Sequence, residues 1–189
     1  MVTSIDGSSS DGIEAMRRAL ARGLLAAGGV LALVLVAAGF VLADPAPPER
    51  AEAPAFELAL LDGGTISSGE LRGQPLVINV WASWCPPCRE EAPMLSRVSA
   101  ELADSGVTFL GVVQDDTEAA ARAFAAEARL DFKHAIDDGS FDRAYRVQAL
   151  PTTYVLDANG GIVATQLGPI TEARLRVLIE EARVSEETP

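Results

Sequence analysis

Apolar and polar positions along this chain change rhythm several times, and each rhythm implies a different element. Gly23 to Ala43 is a run of 21 residues without a charge, rich in Leu, Val, Ala and Gly. At ~1.5 Å of rise per helical residue it spans the ~30 Å hydrocarbon core of a bilayer, so one transmembrane helix is expected over 23–43. A buried helix of a soluble domain would instead need apolar cover on every face, which one small domain hardly supplies. Residues 44–55 hold Pro45, Pro47, Pro48 and Pro54 among alanines and charges. That composition favours extended backbone over packing and reads as a linker.

From Phe56 onward strand and helix patterns alternate. Phe56 to Leu61 and Thr65 to Ile66 flank Asp62-Gly63-Gly64, which predicts an opening hairpin. Pro75 to Trp81 and Val107 to Val113 are apolar runs of buried-strand length. Between them, Pro87 to Ala103 sets Met94, Leu95, Val98 and Leu102 at helical spacing. Glu118 to Arg129 predicts an alanine-rich helix with Phe124 facing inward, Phe132 to Ile136 a short strand, and Phe141 to Arg146 a helical turn. Thr152 to Leu156 and Ile162 to Gln166 bracket an Asn159-Gly160-Gly161 turn, and Thr171 to Arg183 is a closing amphipathic helix. The fold class is therefore α/β: a central mixed sheet flanked by helices over 56–184, with an N-terminal hairpin and one preceding transmembrane helix. Residues 185–189 are polar and expected to form a flexible tail.

Charge adds an orientation and removes some functions. Arg17, Arg18 and Arg22 precede the apolar run, while Asp44, Glu49, Arg50 and Glu52 follow it. The positive-inside asymmetry puts residues 1–22 in the cytoplasm and the folded domain on the extracytoplasmic side of the cell membrane. Cleavage of a signal peptide after Val41-Leu42-Ala43 is the alternative, set against the length of the run, since such apolar regions cover ~7–15 residues. Arg17-Arg18 is read as a topology determinant rather than a twin-arginine signal. The 189 residues carry 15 Lys and Arg against 27 Asp and Glu, a net charge of -12. That is the wrong sign for neutralising phosphates, so nucleic acid is not an expected partner. Two cysteines and one histidine cannot alone supply the ~four ligands of a structural zinc site.

The two cysteines then carry the chemistry. Cys85 and Cys88 sit where strand gives way to helix, in Trp84-Cys85-Pro86-Pro87-Cys88-Arg89. Unpaired N–H groups and the dipole of a helix start favour an anion, so the Cys85 thiol should ionise below the ~8.5 of free cysteine. Pro86 and Pro87 are tolerated in a first turn and fix the backbone so that Cys88 faces Cys85. A static staple is the competing reading, but a bridge closing so short a loop removes little unfolded-state entropy. Metal binding would need ligands beyond this pair and the distant His134.

The stretch Val80-Trp81-Ala82-Ser83-Trp84-Cys85-Pro86-Pro87-Cys88-Arg89-Glu90-Glu91-Ala92-Pro93-Met94-Leu95, followed by Val147-Gln148-Ala149-Leu150-Pro151-Thr152-Thr153-Tyr154-Val155-Leu156-Asp157, resembles the thioredoxin superfamily. Within it the likeness is to membrane-anchored TlpA/ResA-type thiol-disulfide oxidoreductases, and it runs from about Phe56 to Val184. The resemblance implies that Pro151 is cis and faces the cysteines, leaving the Leu150 backbone for an extended substrate. It also implies a helix inserted after the second central strand, which residues 117–136 would supply. The chain departs from the pattern at three places: Asn79 stands where thioredoxin has a buried aspartate, Pro86 where ResA-type proteins have a glutamate, and Ala149 where glycine is common.

Site expectations follow. Cys85 is the attacking thiol and Cys88 the resolving one; Trp84, Leu150 and Pro151 form a substrate platform. Glu91 is a candidate for proton transfer, with plain complementation of the helix start, by Glu90 and Glu91 alike, as the competing role. Trp81, Tyr154 and Phe124 are expected in the core, and Arg89 is expected to be solvated at the surface. The chemistry needs no dissociable cofactor and no metal. The resemblance suggests a reductant of protein disulfides, with apocytochrome c as a substrate, a transmembrane thiol carrier as electron source, and membrane lipid around residues 23–43. A disulfide oxidase, a peroxiredoxin-like peroxidase and a redox-inactive binding or assembly module are the alternatives. The peroxidase pattern Pro-x-x-x-Thr/Ser-x-x-Cys is not met, since Trp81 and Trp84 precede Cys85.

Overall fold

The computed structural model describes residues 50–184. The expected cytoplasmic segment 1–22, transmembrane helix 23–43, first half of the linker and tail 185–189 lie outside the described residues. Among those described, no helix is long and apolar enough to cross a membrane.

The strands are β1 (Glu57–Leu60), β2 (Thr65–Ser67), β3 (Leu76–Trp81), β4 (Thr108–Val113), β5 (Lys133–Ile136), β6 (Thr152–Leu156) and β7 (Ile162–Leu167). The helices are α1 (Pro86–Leu102), α2 (Glu118–Ala128), α3 (Ser140–Tyr145) and α4 (Glu172–Val184), with a 3-10 turn at Ser68–Leu71. One sheet has the order β2-β1-β5-β4-β3-β6-β7. Its centre, β3-β4-β5, is parallel because α1 and α2 return the chain across it. Antiparallel hairpins close both edges, β1-β2 through Gly63 and Gly64 at φ 93° and 81°, and β6-β7 through Asn159-Gly160-Gly161. Positive φ at both turn positions is what glycine supplies without a steric cost.

Every residue of β3 is buried, as a central strand covered on both faces requires. Its side chains alternate between two cores. Val77 and Trp81 join the apolar cluster beneath α1, α2 and α4, whereas Leu76, Ile78 and Val80 join the one covered by the opening hairpin and α3. Trp81 is core, as expected, packed edge-on against Phe124 at 5.2 Å between ring centroids. Tyr154 packs in the second cluster, with its hydroxyl donating to the Tyr145 carbonyl at 3.1 Å.

The described part of the linker differs from the spacer expected over 44–55. The Ala53 N–H donates to the Gly160 carbonyl at 2.9 Å, the Ile162 N–H donates to the Ala51 carbonyl at 2.8 Å, and Glu52 bridges to Gly161. Arg50 pairs with Asp157 at 3.1 Å, and Arg72 with Glu52 at 2.6 Å. Asp157 is buried and needs such partners; the Asn159 and Gly161 amides also donate to it. Among the described residues, contacts with the folded domain are thus already made ahead of Phe56, by Arg50, Ala51, Glu52 and Ala53.

Candidate active site

The site grows from the end of β3. Trp81 closes the strand, its carbonyl accepting from the Gln114 N–H at 3.0 Å, and the chain then turns so that the Cys85 N–H donates to the Ala82 carbonyl at 3.2 Å. Cys85 is the N-cap of α1, with Pro86 and Pro87 in the first turn, where a missing N–H costs no helical bond. Cys85 and Cys88 form a disulfide with Cα atoms 5.3 Å apart, and the Cys88 N–H donates to Cys85 Sγ at 3.3 Å. Both cysteines are nearly buried. A bridge on a helix start can be opened to a dithiol whose outer thiolate the helix stabilises.

Two aspartates that the sequence reading did not single out hold this turn. Asp116 accepts from the Ser83 N–H at 2.6 Å through one carboxylate oxygen and from the Thr117 N–H at 2.8 Å through the other. It ties the cysteine turn to the start of α2, which Thr117 caps by accepting from the Ala120 N–H. The Trp84 indole N–H donates to the Asp115 carbonyl at 2.8 Å, leaving the ring 59% exposed. Arg89 is also more than a solvated cation. It pairs with Glu127 at 3.0 Å, donates to the Ser83 carbonyl at 3.3 Å and lies 4.5 Å over the Phe124 ring.

Glu91 lies one helical turn beyond Cys88, on the buried face that also carries Ala92, Leu95 and Val98. One carboxylate oxygen accepts from Asn79 Nδ2 at 2.9 Å and the other from the Ile170 N–H at 3.0 Å. Asn79 Nδ2 also donates to the Thr153 hydroxyl at 3.2 Å, so α1, β3, β6 and the segment before α4 meet at this carboxyl. Burial raises its proton affinity above that of an ordinary carboxylate, with the two hydrogen bonds opposing the rise. Glu90, next to it, is exposed. The first turn of α1 holds no acidic residue, so simple complementation of the helix start describes neither of them.

The Leu150-Pro151 peptide is cis. Thr152, next in the chain, pairs with Val80, so Pro151 lies at the end of the sheet from which the cysteine turn springs. Leu150 packs against the apolar cluster that holds both cysteines. Among the described residues, no backbone group pairs with that of Leu150. The Gly168 N–H donates to the Pro151 carbonyl at 2.9 Å, and Leu167, 48% exposed, pairs with Thr152. Leu167 is an apolar neighbour of Pro151 that the sequence reading missed; its signal was a large apolar residue ending a strand of mixed polarity.

Known proteins resemble this chain. The AhpC/TSA family profile matches residues 50–165. The chain is 31% identical over 131 residues to the thiol-disulfide oxidoreductase ResA of Bacillus cereus, covering 69% of this chain and 76% of that protein. It is 35% identical over 141 residues to the thiol:disulfide interchange protein DsbE of Pseudomonas fluorescens, covering 69% and 77%. Among solved structures, a thiol:disulfide interchange protein of Chlorobium tepidum superposes with a TM-score of 0.67 at 26% identity, over 72% of this chain and 99% of that one. The thioredoxin-like α/β architecture and these likenesses agree: the chain belongs to the AhpC/TSA family and, within it, to the thiol-disulfide oxidoreductases of the ResA and DsbE type.

Proposed function

We propose that the protein reduces protein disulfides on the extracytoplasmic side of the cell membrane, anchored through residues 23–43, with Cys85 and Cys88 as its redox pair. In the dithiol form, the Cys85 thiolate attacks one sulfur of a substrate disulfide. The substrate S–S bond breaks, a mixed disulfide forms, and one substrate thiolate leaves. Cys88 then loses its proton and attacks Cys85 Sγ, which releases the second substrate thiolate and closes the Cys85–Cys88 bridge. Two electrons pass to the substrate, and no dissociable cofactor takes part. Glu91 receives the Cys88 proton in this scheme; its raised proton affinity brings it closer to a thiol than an exposed carboxylate would be. Trp84, Leu150, Pro151 and Leu167 offer the partner an apolar surface and an unpaired backbone.

The observation that carries the reducing direction is the donor set at Cys85. Among the described residues, its sulfur accepts from one N–H, that of Cys88, because both intervening residues are prolines. Fewer donors mean a less stabilised thiolate and a more reducing couple. Apocytochrome c is the substrate and a transmembrane thiol carrier the electron source in this reading. The oxidase reading differs in the direction of electron flow at the same residues.

The test has two parts. Cys88→Ser should trap substrates on Cys85 as mixed disulfides, while Cys85→Ser should trap none; the reverse pattern exchanges the two roles. Alkylation of thiols in intact cells should find the pair mostly reduced, whereas a mostly oxidised pair selects the oxidase.

A further inference from the structure

The chain's one histidine and one of its two tryptophans meet beneath the redox turn. Gly111, in the middle of β4, lies opposite Asn79 on one side and His134 on the other. A Cβ at Gly111 would stand 2.1 Å from His134 Nδ1 and 2.7 Å from Trp81 Nε1, so the two nitrogens converge on the space this residue leaves empty. The rings meet edge-on, 5.4 Å between centroids at 87°. Both are more than nine-tenths buried, and neither nitrogen has a hydrogen-bond partner, the other nitrogen included. Chemistry decides which is donor and which acceptor. His134 Nε2 lies 3.1 Å from the Leu130 carbonyl, which only accepts, so Nε2 carries the proton and Nδ1 presents a lone pair. An indole N–H only donates.

We propose that His134 is a positioning residue for the redox site: its unprotonated Nδ1 is linked to the Trp81 indole N–H through one trapped water, and so fixes the strand end that launches the cysteine turn. Two buried, unpaired groups of opposite hydrogen-bonding character facing one gap are otherwise costly, each by about 1–3 kcal/mol. The mechanical link is short. Trp81 adjoins Ala82, whose carbonyl holds the Cys85 N–H, and the Trp81 ring belongs to the same apolar cluster as Cys85 and Cys88. Burial also favours the neutral imidazole over the charged one, as an acceptor at Nδ1 requires. This role rests on the oxidoreductase activity and not on the direction of electron flow.

One histidine and two tryptophans make the test direct on the full chain. A long-range proton–nitrogen correlation spectrum at pH 7 should show a single neutral imidazole with its proton on Nε2; a proton on Nδ1, or on both nitrogens, overturns the proposal. His134→Phe should move the Trp81 indole resonance and leave that of Trp84 in place. The same change should shift the dithiol–disulfide equilibrium against glutathione about fivefold toward dithiol, the weight of one ordinary hydrogen bond. His134→Gln, which restores an acceptor, should recover most of that shift. If both variants merely lose stability with an unchanged redox equilibrium, His134 is core and nothing more.

Discussion

Replacing Glu91 separates its charge from its hydrogen bonds. Its two oxygens accept from Asn79 Nδ2 and the Ile170 N–H. Glu91→Ala orphans the Ile170 N–H, leaves Asn79 Nδ2 with the Thr153 hydroxyl alone, at about 1–3 kcal/mol for each lost partner, and opens a gap, for a total loss of about 3–6 kcal/mol. Glu91→Gln keeps the shape. Its carbonyl serves the Ile170 N–H, and a flip of the Asn79 amide lets the new NH2 find an acceptor, so the cost should be about 1 kcal/mol.

The sign of the pH dependence is the stronger test. Burial raises the folded-state proton affinity of Glu91, so the native chain binds more protons than the unfolded chain above the unfolded carboxylate value of ~4.3. That contribution to stability is whole below ~4.3 and is lost as pH rises through the folded-state value. Glutamine cannot lose it. Urea denaturation of the oxidised full chain at pH 4, 6 and 8 should therefore show Glu91→Gln least favoured at pH 4 and gaining on the parent as pH rises, by at most about 1.4 kcal/mol per pH unit. A gap between parent and variant that does not change with pH would refute a raised proton affinity. A loss below about 1 kcal/mol in Glu91→Ala would refute the count of lost partners.

Three further outcomes follow from the site. The Cys85–Cys88 couple, titrated against dithiothreitol, should have a midpoint nearer the ~-270 mV of thioredoxin than the ~-120 mV of a strong oxidase, and a value above about -160 mV rejects the reductant. Gly111→Ala drives a Cβ into two buried rings, so it should cost about 3 kcal/mol or more by chemical denaturation; a near-neutral result would mean that the rings yield freely. Arg89→Ala removes the guanidinium shared by Glu127, the Ser83 carbonyl and Phe124, so it should speed opening of the cysteine turn, read as faster hydrogen exchange at residues 83–88.

Strand and helix positions were legible in the sequence because each element carries a clean apolar period between glycine or proline boundaries. The observed α1, Pro86–Leu102, begins one residue before its expected start and ends one before its expected end. Cys85 and Cys88 were legible for the same reason, since the strand-to-helix switch falls on them. What escaped was long-range pairing. Glu90 and Glu91 look alike in the sequence; only one reaches Ile170, 79 residues away, and nothing local announces it. Their spacing from Cys88 was a clue, because three residues place Glu91 on the buried face and two place Glu90 off it. Arg50 and Glu52 read as linker charges because Asp157 and Arg72, their partners, are distant in sequence. Asp116 was passed over as one acid among many.

That acid also sets a rule for exchanging parts. The segment from α2 through β5 follows β4 in the chain and adds β5 to the sheet between β1 and β4, a tempting cassette to swap when a different partner is wanted. Its seam is not neutral. The Asp116 carboxylate holds the Ser83 amide and the Asp115 carbonyl holds the Trp84 indole, both from the joint that such a graft would cut. A chimera joined after Val113 would carry away both fastenings of the cysteine turn, whereas one joined after Thr117 would retain them and still exchange α2 and β5.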